Sequence, residues 1–181
     1  MPLYSAPIDE YLWFMSYRVD ERPSAVHFNY GKIITILPLK GFHLTDIREL
    51  TTSMLPRVEF TIEEQKAGLG SAKALSVVAT PATNGEFSLL CYDKYGVYMD
   101  GERTLYEPFT LWDHPAQRIA FQDYFALVLS KNHLEVHQLI KRKRLQLVPG
   151  KFRILSGEGA QRVVAMRSDG EIFEFVGDPT A

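Results

Sequence analysis

A single phrase, written four times, limits what this chain can fold into. It runs turn, dense apolar strand, short turn, partly alternating strand. The copies are HFNYGKIITILPLKGFHLTDI (His27 to Ile47), NGEFSLLCYDKYGVYMDG (Asn84 to Gly101), FQDYFALVLSKNHLEVHQL (Phe121 to Leu139) and EGAQRVVAMRSDGEIFEFV (Glu158 to Val176). Their apolar runs are IITIL, FSLLCY, YFALVL and RVVAM. Their turns are expected at Lys40-Gly41, Tyr95-Gly96, Lys131-Asn132 and Asp169-Gly170, where turn-forming residues interrupt the apolar pattern. A dense strand is covered on both faces, and an alternating one more loosely, as in the inner and middle strands of a small sheet.

Further strands flank these hairpins. Ala74 to Thr80 and Phe109 to Trp112 bracket the second; Arg118 to Phe121 and Leu145 to Val148 bracket the third. Each unit then has about four strands. The later units repeat at just under ~40 residues, near the blade length of a propeller. The expectation is an all-β fold: a partial or small β-propeller of about four antiparallel blades. A β-sandwich also spaces its strands closely, but does not require one hairpin phrase four times over. Helical periodicity is confined to one turn near Ile62 to Lys66, inside a flexible insertion over 51–73. The domain reading is a poorly matched segment 1–23, a propeller portion 24–176 and a tail 177–181.

The 181 residues carry a net charge of −2, so no global basic field points to nucleic acid. The single cysteine, Cys91, excludes an intrachain disulfide. Asp9 and Glu10 stand where a signal peptide has bases, and no apolar run reaches the ~20 residues of a membrane span. These features read as a soluble, cytoplasmic protein.

Candidate chemistry is thin. GLGSAK (Gly68 to Lys73) lacks the spacing of a phosphate loop. His133 and His137, on one face of an extended strand, would lie ~13 Å apart, too far for one zinc; both read as blade-surface residues. His114 sits in a turn, WDHP. Glu63-Glu64 reads as solvated charge, and Cys91 within SLLCY as inert packing. No metal site, cofactor or catalytic group is expected. Lys141-Arg142-Lys143-Arg144 is the one charge cluster, projecting from a rim turn between Leu139 and Leu145. It suits anionic lipid headgroups or an acidic partner, or else it is a solvated turn that guards a strand edge.

At EFSLLCYDKYGVYMDG the chain resembles the citron homology (CNH) domain, whose propeller carries F-L-L-C-Y-[DN]-[EK]-[FY]-[GA]-[VF]-[FY]-V-[ND]. The signature positions here are Phe87, Leu89, Leu90, Cys91, Tyr92, Gly96 and Val97, with Asp93, Lys94, Tyr95, Tyr98 and Asp100 also matching. The resemblance runs from about Ala25 to Val176. Upstream it includes GKIITILPLKGFHLTDI; downstream, the LWDHPAQRIA segment, LEV and QLVPGKFRIL. It implies a non-enzymatic regulatory or protein-interaction module in Rho-type small-GTPase signalling. The ending looks nearest the fungal Rho guanine-nucleotide exchange factors. Implied partners are a small GTPase or adjacent signalling domains; the basic cluster adds the expectation of peripheral contact with anionic membrane and recruitment to the cell cortex or membrane periphery. Because the family's domain is substantially longer, self-association to complete a ring is a further expectation. The alternatives are the vesicle-tethering branch of the same family and a funnel enzyme such as a glycosidase, which needs acids on inner strands that carry almost none.

Overall fold

The computed structural model describes residues 2–4, 11–13, 21–29, 32–47, 49, 51–55, 58–79, 87–100, 105–156 and 162–176. The turns at 84–86 and 158–161, most of 1–23 and the tail 177–181 lie outside the described residues, as does the Phe87 side chain.

A short ladder near the N-terminus pairs β1 (Pro2–Tyr4) with β2 (Tyr11–Trp13). Four antiparallel sheets follow in chain order. The first is β3 (Ala25–Asn29), β4 (Lys32–Leu37), β5 (Gly41–Asp46) and β6 (Thr51–Met54). The second is β7 (Ala74–Ala79), β8 (Phe87–Tyr92), β9 (Tyr95–Asp100) and β10 (Leu105–Leu111). The third is β11 (Arg118–Gln122), β12 (Phe125–Leu129), β13 (His133–Gln138) and β14 (Lys143–Pro149). The fourth has three strands among the described residues, β15 (Phe152–Ile154), β16 (Val164–Arg167) and β17 (Ile172–Glu174). Within each sheet the strands pair in sequence order. The first strands β3, β7 and β11 approach one another, so the sheets fan out from that side. This is a partial β-propeller, the all-β architecture that the repeated phrase predicts.

The density of the second strands follows from this stacking. On β8, Leu90 and Tyr92 pack toward the first sheet, against Ile34, Ile36, Phe42 and Leu44. Leu89 and Cys91 point the other way, toward Ile119, Ala126 and Val128 of the third sheet. On β12 the same split recurs: Ala126 and Val128 face the second sheet, while Leu127 and Leu129 join Ile154 and Val163 of the fourth. A period of two on a strand sandwiched between neighbours makes every position apolar.

The structure moves several expected features. The third strand of the third sheet is not loosely covered: β13 is buried from Leu134 to Gln138, because it too is a central strand between packed sheets, whereas β17 is largely exposed. The second hairpin turns at Asp93-Lys94, and Tyr95-Gly96 belongs to β9. Asp93 is held there by its N–H to Lys73 O (2.8 Å) and by Lys73 N–H to its Oδ1 (2.8 Å). The strand expected at Phe109 to Trp112 is β10, which begins earlier and releases Trp112. The insertion over 51–73 yields its first residues to β6 and is braced beyond. There Thr61 and Glu64 form a capping box on helix α1 (Ile62–Lys66), which gives Glu64 a capping role. Lys94 Nζ donates to Gly68 O at 2.6 Å, and Leu69 is buried.

Candidate interaction surface on the second and third sheets

The crossing from the second sheet to the third is made by Trp112 to Ala116, and its path is set by backbone bonds. Trp112 N–H donates to Lys94 O (3.0 Å), its indole Nε1–H to Tyr92 O (2.9 Å), and Ala116 N–H to Asp93 O (2.6 Å). The six-membered ring of the indole closes against Gly96: a Cβ there would sit 3.0 Å from one ring carbon and 3.1 Å from another. Gly96 is therefore required for close approach and not for a turn.

Beyond the indole, the chain is pinned to the third sheet by a buried carboxylate. Glu135 on β13 has no exposed surface. Its Oε1 accepts from His114 N–H (3.0 Å) and from His114 Nδ1–H (2.8 Å). Its Oε2 accepts from Asp113 N–H (3.1 Å) and from His137 Nε2–H (2.8 Å). Both imidazoles thus face the carboxylate as donors, which leaves His137 Nδ1 as a buried nitrogen with no partner. His137 is buried at 2 % exposure and meets Trp112 edge-on at 5.0 Å between ring centroids. His114 stacks on His133 at 4.2 Å. The expectation that His133 and His137 are both surface residues is corrected for His137: β13 is covered on both faces, and an imidazole there needs the carboxylate two residues away. Sealed from solvent and saturated with donors, Glu135 clamps two sheets together and presents no lone pair to a substrate.

The basic cluster lies at the far end of the same strand. Only Lys141 and Arg142 occupy the turn; Lys143 and Arg144 open β14, whose residues are mostly exposed. The two arginines are turned back onto the protein. Arg144 forms an ion pair with Asp113, and the Arg142 guanidinium lies 5.3 Å from the centre of the Tyr98 ring. Arg142 has a left-handed backbone (φ 49°), and its N–H donates to Leu139 O (3.3 Å). Tyr98 Oη–H also donates to Leu139 O (3.1 Å). Burial pushes the Tyr98 phenol up, partly offset by the Arg142 charge. Lys141 and Lys143 are exposed and form no ion pair or hydrogen bond among the described residues.

The signature residues lie mainly inside the sheets. Leu90, Tyr92 and Val97 fill the junction of the first and second sheets, where Tyr92 stacks on Tyr95 at 4.6 Å and meets Phe42 edge-on at 5.3 Å. Leu89 and Cys91 fill the next junction. Burial raises the Cys91 thiol far above its ordinary value. No group of three or more metal-ligating side chains occurs among the described residues. Sequence reasoning passed over Glu135; its signal was an acid inside the apolar strand LEVH, flanked by histidines, downstream of WDHP.

Sheets fanned about their first strands, with a crossing segment clamped between neighbours, define a propeller-type scaffold. Its structural likeness is narrower. The chain superposes on the AfRom2 CNH domain with a TM-score of 0.69, at 16% identity, over 91% of this chain and 53% of that one. The computationally designed Ika4 protein gives 0.59 at 11% identity, over 87% of this chain and 92% of that one. A chain of a mitotic checkpoint complex gives 0.55 at 11% identity, over 97% and 55%. The fold is thus a propeller fold shared with the AfRom2 CNH domain, and the chain spans about half the length of that domain. No family model and no curated protein sequence matches it.

Proposed function

We propose that the chain is a non-catalytic protein-interaction module of the CNH type, acting in Rho-type small-GTPase signalling and derived from a Rho guanine-nucleotide exchange factor. The observation that carries this reading is the likeness to the AfRom2 CNH domain over 91% of the chain. The FSLLCYDKYGVYMD phrase, which resembles the same family, occupies the second hairpin of that fold. Function on a propeller follows from its rims and loops, and the described strands supply hydrophobic junctions and one saturated carboxylate. The reading places the protein in the cytoplasm, with recruitment to the cell cortex, and its partners are a small GTPase or neighbouring signalling domains.

The test is a pull-down of the chain against a panel of small GTPases loaded with GTP analogue or GDP. Retention of a Rho-type member, sensitive to its nucleotide, supports the reading; equal, weak retention of all members refutes it. Because the chain spans about half of the AfRom2 domain, light scattering belongs beside the pull-down. A dimer mass supports ring completion by a second copy, and a monomer mass removes it.

A further inference from the structure

We infer that the β13–β14 hairpin tip is a docking point for an anionic lipid surface, independent of any GTPase partner. Three observations carry it. First, the structure divides the four cations by role. Arg142 and Arg144 are held against Tyr98 and Asp113, while Lys141 and Lys143 project into solvent without partners among the described residues. Second, the apex carries an exposed apolar side chain. Ile140 is 60 % exposed between Leu139, which is buried, and Lys141. Third, the adjacent turn brings an aromatic side chain to the same rim. Leu139 N–H donates to Tyr124 O (2.8 Å), and Tyr124 is 37 % exposed.

An exposed isoleucine among lysines, with a tyrosine beside it, matches the depth profile of a membrane interface: apolar atoms enter the acyl boundary, the phenol stays at headgroup level and the ammonium groups meet phosphate. Among the described residues, Asp113 pairs with Arg144, and Asp123 stands in the Tyr124 turn. The tip itself carries four consecutive cations in a chain whose net charge is −2. The shape also decides between partners. A convex hairpin apex finds a matching surface in a deformable bilayer, whereas a protein partner needs a pocket for Ile140.

The test is co-sedimentation of the full chain with vesicles of phosphatidylcholine alone and with 30 mol%, roughly, of phosphatidylserine, at two salt concentrations. The chain should partition onto the anionic vesicles and release as salt rises. The double variant K141A/K143A should lower the partition coefficient by roughly 30-fold, about fivefold for each lysine. Ile140→Asp should also release the protein. All of these side chains are exposed, so each variant should keep the wild-type urea midpoint, and a shifted midpoint would be followed by Ile140→Ser as the milder replacement. Equal partition onto neutral vesicles, or wild-type binding by the double variant, overturns the inference. So does tighter binding to immobilised polyglutamate than to vesicles with no effect of Ile140→Asp, which assigns the tip to an acidic protein.

Discussion

Removing the Glu135 side chain tests the clamp between the second and third sheets. In Glu135→Ala four donors lose their acceptor: the N–H groups of Asp113 and His114, and one ring N–H each from His114 and His137. His114 is partly exposed, so water satisfies its ring; His137 is buried and stays unsatisfied. Leaving buried donors without partners costs about 1–3 kcal/mol each, and breaking a buried charged network about 3–5 kcal/mol in all. With a urea dependence of about 2 kcal/mol per molar, the midpoint should fall by roughly 2 M. Glu135→Gln should be milder. Its amide oxygen keeps the two His114 bonds, and its NH2 can donate to His137 Nε2 once that ring moves its proton to the unpartnered Nδ1. Only the Asp113 bond is then lost, at about 1–2 kcal/mol. The assay is equilibrium urea unfolding followed by tryptophan fluorescence, since the Trp112 ring touches His137. An alanine variant within about 0.5 M of wild type would refute the clamp, and a glutamine variant as weak as alanine would refute the tautomer argument.

Three other outcomes follow from contacts elsewhere in the sheets. Gly96→Ala pushes a methyl against the Trp112 indole and Leu89 Cδ1, so it should cost about 1–3 kcal/mol in urea unfolding and alter the near-UV dichroism. The folded Tyr98 phenol is raised above its unfolded value, first by burial. Its contribution to stability is therefore intact below the ordinary tyrosine range and is lost as pH rises through the raised value; absorbance titration should show a late-ionising component that diminishes in Tyr98→Phe. Asp169 is held below the usual carboxylate range, first by the Glu171 N–H and then by Arg167. Its contribution is thus present above the unfolded value and lost as pH falls through the lowered one, and an NMR titration of its carboxyl carbon should show that lowered midpoint.

The architecture was legible because a strand buried on both faces must be apolar at successive positions, and IITIL, FSLLCY and YFALVL have no other stable environment. Turn positions were less legible. The glycine after Tyr95 resembles a turn signal, but the need it answers comes from Trp112, sixteen positions later in the chain, and local spacing carries no trace of that contact. His137 failed for a related reason. Alternation in HLEVHQL suggests a wet face, whereas the polar positions on that face are matched to each other and to WDHP. The basic cluster was visible as charge, yet its division into two anchored arginines and two free lysines depends on Tyr98 of the second sheet and Asp113 of the crossing segment, both distant in sequence.

The burial of Cys91 gives the protein a built-in clock. The chain has one thiol, fully enclosed where the second sheet meets the third, and the same burial that keeps it protonated also keeps reagents out. Labelling in native buffer can proceed only through excursions that part those sheets, so its rate, compared with that of a free thiol, measures how often that one junction opens. A ligand or membrane that tightens the junction would slow the reaction, and one that binds elsewhere would leave it unchanged, without any engineered probe.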